Sequence, residues 1–180
     1  MNIRNGILFT WLGVCCVMGP IQGESNNLAS TPYLRHPVRL GWSPESKSHL
    51  IVANGRTGSL SLVDVSSQAV VFEHKVAQSI SDMLISTASN EILLLDDSKH
   101  GLQMVNFTEK SFASSASPFI PLPHDPHRLV VDSRMEHLAV TSKWSRRLTL
   151  LSKDRNEDHK LSWQLEKTID LTFAPGELVF

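Results

Sequence analysis

Cysteine occurs only twice in 180 residues, as the adjacent pair Cys15 and Cys16. Both fall inside an apolar leader, so the rest of the chain has none. That excludes disulfides, a thiolate nucleophile and a cysteine-ligated metal from the remainder. The Cys-x-x-Cys-His attachment site of c-type haem is absent too. Tyrosine occurs once, and aromatic residues total 7%. Neither sign of charge dominates, with 17 Lys and Arg against 18 Asp and Glu. A nucleic-acid partner, which selects strongly basic chains, is therefore not expected. There is no Gly-x-Ser-x-Gly elbow and no glycine-rich phosphate loop, so acyl transfer by an activated serine and nucleotide binding have no motif to rest on. No apolar run reaches the roughly 20 residues that a helix needs to cross a bilayer.

What is present begins with the leader itself. In "MNIRNGILFTWLGVCCVMGPIQGES", Arg4 is the only charged side chain before Glu24, and an apolar stretch runs from Gly6 to Gly19. A cationic start, a short apolar centre and a small residue such as Gly23 before a polar stretch describe a secretory signal peptide. The expected division is a signal peptide over 1–23, a linker over 24–35 and one domain over 36–180. An uncleaved anchor is the alternative reading of the leader. Val14 before Cys15 argues against lipid attachment, which needs a small residue there. Cleavage leaves no membrane span and implies a periplasmic or extracellular place.

The domain repeats itself. Leu40, Met83 and Leu129 are followed after 10, 9 and 9 residues by Leu50, Ile92 and Leu138. Those are followed, always after 10 residues, by Leu60, Leu102 and Leu148. "TFAPGELVF" restarts the pattern with Leu178, and Pro37, Pro126 and Pro175 each stand three residues before their anchor. Within each unit lie short strand-like runs. They include "HLIVAN" (49–54), "SLSLVD" (59–64), "AVVFEHKV" (69–76), "EILLLDD" (91–97), "HLAVTS" (137–142) and "WQLEKTIDL" (163–171), separated by turn-forming Gly, Asn, Asp and Ser. Four short antiparallel strands recurring about every 45 residues are the signature of a β-propeller blade. A β-sandwich also spaces its strands this closely, but gives no reason for the longer period.

The expected fold is all-β, a partial β-propeller of about three four-stranded antiparallel blades plus the first strand of a fourth. The blades fall at about 36–77, 78–122 and 123–171, and the next begins at 172–180. Propellers typically need about 4–8 blades, so the expectation is an open arc with an apolar blade face uncovered. Either the chain is a piece of a longer propeller, the reading preferred, or copies of it associate through those faces.

"HLIVANGRTGSLSLVDVSSQAVVFEHKV" resembles the YVTN-type bacterial β-propeller repeat. Val52, Ala53 and Asn54 match its "VAN" part, and Leu62, Val63 and Asp64 its "VID" part. The second unit departs from the pattern, since "LLLDDSKH" lacks the Ala-Asn turn. The resemblance spans roughly residues 36–180 and implies a ring of about seven blades in full members. It also implies secreted propellers that often accompany cytochrome c or di-haem peroxidase-like domains. No catalytic residue carries over from it.

Loops entering each innermost strand and turns joining the second and third strands belong on one face of a propeller. His36, His124, Asp125 and His127 fall in the first class. Arg56, Lys99, His100, Trp144, Arg146 and Arg147 fall in or beside the second. The candidate contacts for a ligand or partner are Arg56, His124, His127, Trp144, Arg146 and Arg147. Arginine can grip a carboxylate and stack on a ring, so the expected partner is a protein or a small acidic ligand. The competing account of "TSKWSRRLTLLS" (141–152) is a solvated turn.

His124-Asp125-Pro126-His127 has ligand types for a metal but no standard spacing, and the pair at 96–97 lacks the further oxygens that calcium requires. "KDRNEDHK" (153–160) is a charged, solvated loop. Asn106-Phe107-Thr108 fits a glycosylation acceptor, which a bacterial chain would leave unused. No metal, cofactor or catalytic residue is assigned. The reading is a secreted, non-catalytic binding or scaffold segment, part of a larger redox-associated propeller protein. The alternative is a metal-dependent, lactonase-like periplasmic hydrolase.

Overall fold

The computed structural model describes residues 35–86, 90–108, 110–115, 118–155 and 161–178. The signal-peptide reading and most of the 24–35 linker lie outside them. Thirteen strands form three antiparallel sheets in chain order among the described residues. The first sheet contains β1 (Pro37–Trp42), β2 (His49–Asn54), β3 (Ser59–Asp64) and β4 (Ala69–Lys75). The second contains β5 (Ile80–Ile85), β6 (Glu91–Asp96), β7 (Gly101–Thr108), β8 (Ser111–Ser114) and β9 (Ile120–Pro121). Its fourth strand is split, since β8 and β9 both pair with β7. The third contains β10 (Pro126–Val131), β11 (His137–Ser142), β12 (Arg147–Arg155) and β13 (Leu161–Asp170). Each sheet is a simple meander, and the three are blades of a partial β-propeller. Among the described residues no helix is long and apolar enough to cross a membrane.

Period-2 alternation builds the core. Ile51, Ala53, Leu60 and Leu62 of the first blade meet Met83, Ile92, Leu94, Val105 and Phe107 of the second. The other face of the second blade, with Leu93, Leu95, Leu102 and Met104, packs on Leu129, Leu138, Val140, Leu151 and Trp163 of the third. The middle blade is thus buried on both faces. That is why "EILLL" reads as a continuous apolar run and not as an alternation. Each fully buried leucine contributes roughly 1.5–3 kcal/mol relative to an exposed one. Leu40 and Trp42 of β1 stay largely exposed, on the blade that has only one neighbour.

The three innermost strands share two features that the repeat alone did not reveal. Register shifts at the same place in each, between Pro37 and Arg39, Ile80 and Asp82, and Pro126 and Arg128. The position just before the anchor carries charges of alternating sign: Arg39, Asp82, Arg128, Glu177. Arg39 Nε donates to Asp82 Oδ1 at 3.2 Å, and Arg128 Nε to Glu177 Oε1 at 3.2 Å. Asp82 Oδ2 also accepts the Leu129 backbone N–H at 3.0 Å, and Arg128 Nη1 reaches the Ser81 carbonyl at 3.4 Å. Each inner strand is thereby keyed to the next. Residues 171–178 form no strand. A first blade strand takes its hydrogen bonds from the second strand of its own blade, and residues 171–178 have no such partner among the described residues. Glu177 nonetheless stands toward Arg128 as Asp82 stands toward Arg39.

Candidate functional site on the entering face

Each second-to-third turn has four residues: Gly55–Gly58, Asp97–His100 and Lys143–Arg146. The fourth residue is left-handed in all three, with φ of 63° at Gly58, 55° at His100 and 53° at Arg146. Glycine alone adopts this at no cost. Its N–H closes the turn, from Gly58 to the Asn54 carbonyl at 3.0 Å and from Arg146 to the Lys143 carbonyl at 3.3 Å.

The turns are fastened to the entering loops by a repeated bond. The first turn residue donates its N–H to the loop residue four before the anchor. The pairs are Gly55 to His36 at 2.9 Å, Asp97 to Ser79 at 3.1 Å and Lys143 to Asp125 at 3.1 Å. Loops and turns therefore share one face. Asp96 adds a side-chain bridge in the second blade, accepting the Gln78 N–H at 3.1 Å and the Lys99 N–H at 3.0 Å. Both oxygens of this buried carboxylate serve backbone donors, which gives the acidic pair at 96–97 a structural role.

Arg56 is exposed on the first turn, and His36 and His127 flank the same cleft. His124 lies exposed in the loop entering the third blade, its ring 4.3 Å from that of His100 at an interplanar angle of 64°. Trp144 is 76% exposed, yet its backbone is pinned. Its N–H donates to Asp125 Oδ2 at 3.2 Å, and the next residue, Ser145, donates its hydroxyl to the His124 carbonyl at 2.9 Å. The Lys143 ammonium sits 5.6 Å from the Trp144 ring centroid. Arg146 points from the turn's left-handed position. Arg147 is different: it opens β12 opposite Asp170 and bonds that carboxylate at 2.9 Å. It belongs to the strand rather than to the turn where the sequence pattern put it, and its charge is already answered within its own blade.

The inner strands and loops enclose an open cleft of about 510 Å³ that touches all three blades. His36 and Arg56 come from the first blade, Asp97 from the second and Arg128 and His127 from the third. Burial raises the Asp97 carboxyl above its ordinary value, and the Asp125 charge pushes it the same way. Burial lowers the His127 imidazole, and Arg128 and Lys143 add to this. Among the described residues, Arg56, Lys99, Lys143 and Arg146 form no ion pair with a carboxylate. The sequence-derived candidates omitted Asp97 and Arg128. The Arg128 signal was available in the alternating charges before the anchor. Asp97 was legible as the first residue of the second blade's turn, but its lining of the cleft depends on how that blade packs.

No family model matches the chain, and no curated protein matches it in sequence. Solved structures do share its fold. A protein from Lactobacillus plantarum is 16% identical over 77% of this chain and 42% of its own, with a TM-score of 0.61. The periplasmic gluconolactonase of Pseudomonas aeruginosa is 10% identical over 78% and 41%, with a TM-score of 0.63. The hydrazine synthase of Kuenenia stuttgartiensis is 16% identical over 87% and 41%, with a TM-score of 0.61. This chain spans about two-fifths of each of them.

Proposed function

We propose that the chain is a secreted, non-catalytic segment of a larger β-propeller of the YVTN type, and that its entering face binds a carboxylate-bearing partner. One observation carries the reading. Arg56, Lys99, Lys143 and Arg146 stand on the three turns of one face without acidic partners among the described residues, beside an exposed Trp144 on a pinned backbone. An acidic segment supplies the missing charges, and an exposed tryptophan is an anchor typical of interfaces. The leader supports a periplasmic or extracellular location. The redox association implied by the repeat resemblance is checked by a haem-binding motif in the DNA downstream of the Phe180 codon.

The test is titration with a glutamate-rich peptide and, separately, with citrate, at several salt concentrations. A rim of exposed cations predicts affinity that falls steeply as salt rises. The double variant Arg56→Glu with Arg146→Glu is expected to weaken binding at least tenfold. Salt-independent binding, or no effect of the double variant, contradicts the reading. The peptide and citrate arms separate a protein partner from a small acid.

A second reading, a lactonase-like hydrolase, draws on the gluconolactonase among the fold neighbours and on Asp97 and His127 lining one cleft. Turnover of glucono-δ-lactone by the purified chain, lost in Asp97→Asn, would replace the binding reading with this one.

A further inference from the structure

Beside the cleft, where the second blade meets the third, imidazoles and carboxylates gather, and among the described residues neither Asp97 nor Asp125 forms an ion pair. His100 ends the second blade's turn and His124 lies in the loop entering the third, and their rings approach to 4.3 Å. His100 Nδ1 is shut off from solvent and has no hydrogen-bond partner. A buried nitrogen left this way calls for an explanation, and an unplaced ion is one. Asp97 begins the same turn as His100, and Asp125 follows His124. Burial raises the Asp97 carboxyl, and the Asp125 charge adds to this while His100 opposes it. Two imidazoles from separate loops with carboxylates beside them are the donor set of a divalent transition metal, zinc or copper before magnesium or calcium.

From this juxtaposition we infer that His100 and His124 form the two-imidazole half of an open transition-metal site on the entering face, to which Asp97, on the same turn as His100, adds a donor only if its side chain turns inward. The site shares the Asp97–His100 turn with Lys99 of the anion-binding reading, but its donors are imidazoles and not the turn cations, so the two are separated by titrating metal without any acidic peptide. Its loops are held by backbone bonds from Lys143 to Asp125 and from Leu122 to His100, so the two histidines meet without reorganising the blades. The third ligand and the remaining positions are completed by the Asp97 side chain turning inward and by water, which makes the site open.

A competitor stands on the opposite face. Asp132, Glu136 and His137 hold their ligand atoms within 4.8 Å of one another. Asp132, however, already accepts the Glu136 N–H at 2.8 Å and the His137 N–H at 3.1 Å, and lies 3.4 Å from His137 Nδ1. That cluster is explained as the cap of a tight turn and serves as the internal control.

The experiment is calorimetric titration of the tag-free full chain with Zn²⁺ and then Cu²⁺, paired with imidazole NMR. One metal per chain is expected. His100→Ala and His124→Gln should each weaken it at least tenfold, and Asp97→Asn by less. His137→Gln should change nothing, and Cu²⁺ should broaden the His100 and His124 resonances first. If His100→Ala fails to fold, as judged by circular dichroism, the exposed His124→Gln decides alone. Absence of binding, binding unaffected by His124→Gln, or binding abolished by His137→Gln overturns the assignment.

Discussion

Replacing Asp82 with alanine removes one carboxylate that serves three donors on three blades. Its side chain is 0% exposed. Oδ1 accepts Arg39 Nε at 3.2 Å and the Met83 N–H at 2.9 Å, and Oδ2 accepts the Leu129 N–H at 3.0 Å. Alanine leaves two buried backbone donors unsatisfied, at about 1–3 kcal/mol each. The Arg39 pair adds less, because the arginine side chain is 46% exposed and such pairs contribute about 0–1 kcal/mol. The expected loss is therefore about 2–7 kcal/mol, centred near 4. For a chain of this size it corresponds to a fall in Tm of roughly 10 °C. Asp82→Asn keeps the shape and one acceptor, and should cost about half as much. Arg39→Ala should cost under about 1 kcal/mol. Urea denaturation followed by tryptophan fluorescence ranks the three. The reasoning fails if Arg39→Ala is as damaging as Asp82→Ala, since the charge pair would then outweigh the backbone donors. It also fails if Asp82→Ala is nearly neutral.

Four further outcomes follow from the turns and the core. Gly58→Ala should destabilise by about 2 kcal/mol or more in the same assay. Its φ is +63° and a Cβ there would fall 2.2 Å from the Ala77 carbonyl oxygen. Arg146→Gly at the equivalent position should leave stability unchanged or raise it, because it relieves left-handed strain at an exposed site. Trp163 is 2% exposed, so Trp163→Ala should cost about 3–5 kcal/mol. Trp144→Ala should stay within about 0.5 kcal/mol of the parent in stability, yet weaken binding of the glutamate-rich peptide.

The blade framework was readable because it rests on local rules. The runs at 49–54, 59–64 and 137–142 become β2, β3 and β11 with the same ends. Their turn residues and apolar periods point to one answer. The placement of Arg56, His127 and Trp144 on one face followed from meander topology alone. The interblade features were harder to see. Asp82 reads only as the charged residue before the Met83 anchor until the neighbouring strands bring Arg39 and the Leu129 N–H to it. Arg147 looked like part of a cationic turn because one residue decides whether a side chain belongs to the turn or to the strand. Its pairing with Asp170, 23 residues away, is invisible to spacing. The left-handed φ of His100 and Arg146 also escaped, since only Gly58 among the three equivalents announces it.

The central claim is that the cationic turns, and no other surface, receive an acidic partner. Hydrogen–deuterium exchange of the full chain with and without a saturating glutamate-rich peptide tests it most directly. The account predicts protection at residues 55–58, 97–100 and 143–146 and in the loops at 35–36 and 123–125. The far-side turns at 43–48 and 132–136 should show no change. Protection confined to the far-side turns, or to the exposed β1 face around Leu40 and Trp42, would contradict it.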